Sequence, residues 1–483
     1  MWLKSVKEYV IISKIMCLKG EMNMFIGKVI DRFDRLNNSK AKLSGFLFVL
    51  SVVMMMCISV GSRFFTTSWY SVSILGGGFF TALLCACSLR NNKIKVSGFG
   101  FFILAMEFIV GCSFILSGLM LHVVAYSMIG LVLAFLMPLA QFAFATYDKK
   151  MVTRRVCMAI ILSYYIFLVT NLFYGPVMTN FQYKAIMGNG NLVGYFIIIV
   201  IPSLLYFLMD DKLSFARKAF VWGTFVSAAS LLVFTSSRTS AIAAIASMGL
   251  SLTVIISKRD KSKKLAFDKK RIITIIVITV LVPLLMFFML TSVRRAVIKT
   301  VRWVQSLGSS SSSSQKGDLH EDDEGEYSLD YYMKGLDGEG EDSFTSGRIL
   351  IWKDFIKNVG VKGHASETRE VVEDTRYYPD AHAHNVYLQT AYSAGIVTGL
   401  AYLALVAAVG IKAAMWFIAV MRNKKKYTME MIISCCFVVC FAVVSLTSDG
   451  YMVYNYYPTT MFWLMSYMFI FKSKDEENPE GAE

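Results

Sequence analysis

Twelve predominantly apolar stretches recur along the chain, some with uncertain ends, and a window of about 20 such residues is enough to cross the hydrocarbon core of a bilayer as a helix. They fall near 43–61, 69–89, 98–118, 122–146, 156–173, 191–209, 219–235, 239–257, 272–292, 386–411, 429–447 and 458–471. With 55% hydrophobic and 17% charged residues, the 483-residue chain is too apolar for a soluble globular protein of its size. The expected fold is an all-α polytopic membrane protein with about 12 transmembrane helices.

The net charge of +15 would suit a nucleic-acid partner if it were clustered on one soluble face. It lies instead in the links between apolar runs. Residues 1–42 carry nine Lys and Arg and residues 258–271 carry eight, with smaller groups in 90–95, 148–155, 210–218, 422–426 and 472–474. The alternate short links hold only Arg63, Lys184 and Arg238. By the positive-inside rule both ends are cytoplasmic, and the charge reports topology rather than nucleic-acid binding. Residues 1–42 lack the apolar core of a signal peptide and read as a basic amphipathic segment on the inner leaflet. The nine cysteines show no metal-ligand spacing, so neither a disulfide framework nor a structural zinc is expected.

The expected organisation is a cytoplasmic segment 1–42, spans one to nine over 43–292, an extracytoplasmic insert 293–383, spans ten to twelve over 384–471, and a tail 472–483. The insert far exceeds ordinary loop length. It opens with a basic amphipathic helix, VRRAVIKTVRWVQSL. A Ser-rich and acidic stretch, 308–345, is expected to be disordered. SGRILIWKDFIKNVGVKGH then regains apolar periodicity at Ile349, Trp352, Phe355 and Ile356.

Polar candidates gather on the outer side. In DAHAHNVYLQTAYSAGIVTG, His384 stands at the mouth of span ten, and a single straight helix would place Ala391, Gly395 and Gly399 within about 60° of it. Small residues mark a closely packed face, so His384 is expected to turn into the bundle, where the positive helix end favours a neutral, proton-accepting imidazole. A histidine snorkelling at the interface is the plainer alternative, but Asp380, His382 and Asn385 beside it favour a site. Arg238, in FTSSRTSAIAAIASMG, opens span eight and could fork onto an anionic group, or pair with lipid phosphate. Arg348, in SGRILIW, offers the same chemistry, with an ordinary surface charge as its alternative. GNGNLVGYF puts Asn189 and Asn191 at the start of span six, as a helix cap or a polar floor. Glu107, deep in span three, is either a proton-handling group or a protonated, hydrogen-bonded carboxyl.

Together these residues resemble the O-antigen ligase and O-antigen polymerase family of bacterial envelope proteins. The resemblance rests on His384-Asn385 followed by nine residues, Gly395 and then Thr398 or Gly399, on SSR at 236–238, on SGRxxxW at 347–352 and on GNGN at 188–191. It covers about 185–410. The Ser-rich acidic stretch departs from a compact family loop. The resemblance implies glycan transfer from an undecaprenyl-diphosphate carrier to a glycan or glycolipid acceptor, at the outer face of the bacterial plasma membrane, with no metal or other cofactor. It assigns Arg238 and Arg348 to the diphosphate, with Arg294, Arg295 or Arg302 as a third cation, and His384 to the acceptor hydroxyl with help from Asn385. A lipid-linked glycan transporter is the rival reading, although such carriers gather substrate groups near the midplane. A sensor using the acidic loop to bind partners is a third.

Overall fold

The computed structural model describes residues 27–61, 68–174, 178–259, 348–422, 428–447 and 457–472, apart from positions 180, 181, 184, 188, 211, 236, 367, 374 and 375. Residues 27–39 form a first helix, α1. It is followed by α2 (Ala41–Gly61), α3 (Ser68–Ser88), α4 (Gly98–Leu121), α5 (Val124–Leu131), α6 (Met137–Thr146), α7 (Lys149–Tyr174), α8 (Gly190–Leu208), α9 (Phe215–Phe234) and α10 (Arg238–Arg259). Beyond the insert come α11 (Arg348–Lys357), α12 (Val386–Ala394), α13 (Ile396–Met421), α14 (Met429–Ser445), α15 (Tyr457–Met465) and α16 (Tyr467–Ile470). Among the described residues seven helices are long and apolar enough to cross a membrane, and Ser73–Ser88, Arg238–Val254 and Met429–Ser445 are shorter apolar ones. The chain is mostly helical, in line with the polytopic expectation. Among the described residues it also has three two-stranded antiparallel ribbons, one of them β2 (Met178–Thr179) with β3 (Gln182–Tyr183), which an all-α reading omits.

The expected runs one to eight coincide with helical segments to within a few residues, except that α7 starts seven residues before its run, while the ninth, 272–292, lies outside the described residues. The tenth needs correction. It is two helices broken at Gly395, whose φ of 93° and ψ of 155° belong to a region that only glycine enters freely. The long apolar helix is α13, and it continues to Met421 through Lys412, whose ammonium lies 4.7 Å from the Phe99 ring centroid.

The centre of the bundle is α8: 83% of its apolar window is buried, against 33% for α4 and α9. Glycines set the closest crossings. A Cβ on Gly111 would meet the Ala134 nitrogen at 2.5 Å, and one on Gly130 would meet the Gly111 carbonyl at 2.5 Å, so α4 packs tightly on α5 and on the π-helical turn Val132–Leu136. Large apolar side chains such as Phe79 and Phe101 face outward, as lipid contact requires. At one end, β1 (Lys95–Val96) pairs with β6 (Phe471–Lys472), joining the link before α4 to the residues after α16.

Between α11 and α12 lies a small second core. The helix α11 buries Ile351 and Phe355, one turn apart, against Val371, Ala381, Ala383 and Tyr392. The buried face is therefore offset from the expected one, since Ile356 is 63% exposed. Val371 and Ala381 come from an antiparallel ribbon, β4 (Arg369–Glu373) with β5 (Arg376–Ala381). No alternation in the sequence announces this ribbon. Arg369 ties it to α11 through an ion pair with Asp354. Burial works against the guanidinium charge there, but hydrogen bonds with Asp354 and Tyr392 outweigh it and hold the Arg369 pKa above its ordinary value.

Candidate functional site

The helix α12 begins at Val386, and Asn385 is its N-cap: the Asn385 Oδ1 accepts from the Leu388 N–H at 3.0 Å. His384 accordingly precedes the helix instead of lying in its first turn. The small-residue face built on a continuous helix does not apply either. A Cβ on Gly395 would sit 2.1 Å from the Val361 carbonyl oxygen, and one on Gly399 would sit 2.4 Å from the Ala391 Cβ. These glycines let the loop after α11 and the start of α13 close on α12. The hinge is completed by the Ala394 carbonyl, which accepts from Ser117 at 2.8 Å and from Thr398 at 2.6 Å. Gly395, Thr398 and Gly399 thus build a helix break.

His384 is half-buried and has a φ of 48°, in the left-handed region. Its flanks impose that conformation. Ala383 is fully buried; its N–H donates to the Gln389 Oε1 at 2.9 Å, and its carbonyl accepts from the Trp352 Nε1 at 2.7 Å. On the other side the Asn385 cap fixes the chain. A non-glycine residue held by its neighbours in a costly conformation is a pattern found at functional positions. Trp352 and Gln389 are the residues that sequence reasoning missed as positioning groups. The tryptophan of SGRILIW carried the signal, since a half-buried indole N–H needs an acceptor.

The turn after α14 gathers the other elements. Asn385 Nδ2 donates to the Leu446 carbonyl at 3.4 Å, the Tyr387 and Ser445 hydroxyls lie 2.8 Å apart, and Thr447 Oγ1 donates to Thr239 Oγ1 at 2.8 Å. Thr239 follows Arg238, an exposed residue that opens α10. Ser237 ahead of it accepts from the Ser240 N–H at 3.4 Å. A Cβ on Gly194 would meet Ser240 Oγ at 2.4 Å, so the beginning of α8 lies against the beginning of α10. Asn189 caps α8 by accepting from the Asn191 N–H at 2.9 Å, which makes the Asn of GNGN a helix cap. The positive ends of α10 and α12 therefore reach the same turn, and that of α8 lies against the start of α10, an arrangement suited to an anion.

Arg348 is the first residue of α11, half-buried, one turn before Trp352 and roughly 6 Å from it along the axis. Three hydrogen bonds between sequence neighbours of these residues thus link the backbone at Arg238, through Thr239, Thr447, Leu446 and Asn385, to that at His384, and on through Ala383 and Trp352 to the helix of Arg348. His382 is half-buried just after β5, and Asp380 lies on β5. Arg294, Arg295 and Arg302 lie outside the described residues. Glu107 stands apart from this region. It is fully buried among α4, α6 and α15, with the Gln141 amide donating to Glu107 at 3.4 Å, to the Trp463 carbonyl at 3.0 Å and to Ser466 at 3.1 Å.

Residues 223–403 match the O-antigen ligase family. The matched stretch contains Arg238, Arg348, His384, Asn385 and the hinge glycines, and bears out the resemblance read from those motifs. GNGN lies outside it. No curated protein and no solved structure matches the chain.

Proposed function

We propose that this chain, an O-antigen ligase relative through residues 223–403, transfers a glycan from an undecaprenyl-diphosphate carrier to an acceptor sugar at the outer face of the bacterial plasma membrane. The observation that carries the reading is the contact run joining Arg238, His384 and the helix of Arg348 around the turn 445–447.

The chemistry asks for little beyond these groups. An acceptor hydroxyl oxygen attacks the anomeric carbon of the donor sugar, and the bond from that carbon to the diphosphate oxygen breaks. The hydroxyl proton passes to the His384 imidazole, and the electron pair leaves with the carrier diphosphate. Negative charge therefore grows on the diphosphate as the bond breaks. Two guanidinium groups and the positive ends of three helices favour that state over the ground state. Arg238 forks onto one phosphoryl group and Arg348 onto the other, with a third cation supplied from Arg294, Arg295 or Arg302.

The experiment is transfer by the purified chain reconstituted with lipid-linked donor. His384→Ala, Arg238→Ala and Arg348→Ala are each expected to lower the rate by at least about 100-fold, the usual scale for a lost base or charge-stabilising group. Near wild-type transfer by the first two would exclude the assignment. Deletion of the gene separates the two reactions of the family: uncapped lipid acceptor on the surface identifies a ligase, and single-repeat glycan a polymerase.

A further inference from the structure

At the opposite end of the bundle from His384, where the basic links lie, α2 and α7 leave an open groove of about 440 Å³ between their first turns. Its walls are apolar, from Phe46, Val49 and Met158, and its cations are Lys42 and Arg155. Phe46 is 62% and Met158 46% exposed, so the floor is continuous with the lipid-facing surface.

The arginine is held for use there. Its guanidinium carbon lies 5.1 Å from the Tyr147 ring centroid and 5.7 Å from that of Phe48, a cation–π arrangement that fixes one side of the group. Gly45 clears the other side, since a Cβ there would meet Arg155 Nη2 at 2.8 Å. Neither Arg155 nor Lys42 has a carboxylate partner among the described residues, and the Arg155 Nη1 is buried with no hydrogen-bond acceptor. Two uncompensated cations above an apolar floor at the bundle edge match one kind of occupant.

We propose that this groove binds one anionic phospholipid, its phosphate between Arg155 and Lys42 and its acyl chains along Phe46, Val49 and Met158. Free phosphate would satisfy the cations but gain nothing from the floor. A zwitterionic phospholipid would bring a cation of its own toward them. Lys42 is the second residue of α2, and Val49 is roughly 10 Å further along its axis, the offset between a headgroup and the first methylenes of its chains.

The test is native mass spectrometry of the purified full chain, titrated separately with dioleoyl phosphatidylglycerol, dioleoyl phosphatidylcholine and inorganic phosphate. One phosphatidylglycerol is expected to stay bound at concentrations about tenfold below those needed for phosphatidylcholine, and Arg155→Gln and Lys42→Gln should each weaken it about fivefold. Gly45→Ala, which keeps every charge but crowds the guanidinium, should weaken it as well, and Arg155→Lys should restore part of the binding lost in Arg155→Gln. If Arg155→Gln does not fold, Lys42→Gln and Gly45→Ala decide the matter. Equal retention of the two lipids, wild-type retention by these variants, displacement by millimolar phosphate, or no retained lipid in the wild type would each overturn the proposal.

Discussion

Trp352→Phe isolates the hydrogen bond that holds the segment before His384. The substitution keeps an aromatic ring in place and removes the Nε1–H that donates to the Ala383 carbonyl at 2.7 Å. Because Ala383 is fully buried, the carbonyl then has no solvent to turn to, and leaving it unsatisfied costs about 1–3 kcal/mol. His384 at φ 48° holds a comparable strain, about 1–3 kcal/mol, which its flanks at present override. Once one flank is weakened, the segment relaxes and the imidazole spends less time in place. About 1.4 kcal/mol of lost positioning corresponds to roughly a tenfold fall in kcat, with KM little changed. The assay is transfer by Trp352→Phe, by His384→Ala and by the double variant. If Trp352 acts through His384, the rate of His384→Ala should not fall further when Trp352→Phe is added, giving a coupling of about 1 kcal/mol or more. Independent, multiplicative losses would refute the reasoning, as would a wild-type kcat for Trp352→Phe.

The other predictions probe the hinge, the shared turn and the buried carboxyl. Gly395→Ala places a Cβ 2.1 Å from the Val361 carbonyl at a φ of 93°, and should cost about 2–4 kcal/mol, read as a lower thermal midpoint in detergent. Thr447→Val removes the bond to Thr239 beside Arg238; a loss of about 1 kcal/mol should lower transfer roughly fivefold while Asn385 capping, and hence α12, stays intact. Glu107→Gln keeps a hydrogen-bonding group next to Gln141 and should leave transfer unchanged, whereas Glu107→Leu should lower stability by about 1–3 kcal/mol. Loss of transfer in Glu107→Gln with unchanged stability would restore the proton-handling role.

What the sequence made legible, and what it hid, divides along the range of the forces involved. Apolar length is a local property, so α2 to α10 could be placed from composition and spacing alone. The break at Gly395 was invisible to hydropathy because residues on both sides are apolar. It exists because the Val361 carbonyl approaches from a loop 34 positions earlier, and only the absence of a Cβ makes room. The expected run also stopped at residue 411, whereas the helix carries Lys412 against the Phe99 ring and goes on to Met421. The ribbon of β4 and β5 was hidden because its buried residues, Val371 and Ala381, depend on the cover that α11 provides.

The orientation expected of His384 rested on a straight helix, and the break at Gly395 removes that basis. A straight helix would have made its orientation a matter of periodicity, and periodicity is easily satisfied by chance. Three contacts hold its neighbours instead, two of them from distant segments: the indole of Trp352 and the carbonyl of Leu446, the latter acting through the Asn385 cap, together with the nearby amide of Gln389. Each arises on a different element, and each acts on a residue adjoining the histidine. Arg238 is tied into the same turn by Thr239 and Thr447, which are ordinary hydroxyls that no motif singles out. A packing accident would need only one such contact. Holding a left-handed histidine between a buried alanine and a capping asparagine, against its own backbone preference, takes one contribution from α11, one from α12 and one from the turn after α14, so the backbone at His384 is set by three separate elements.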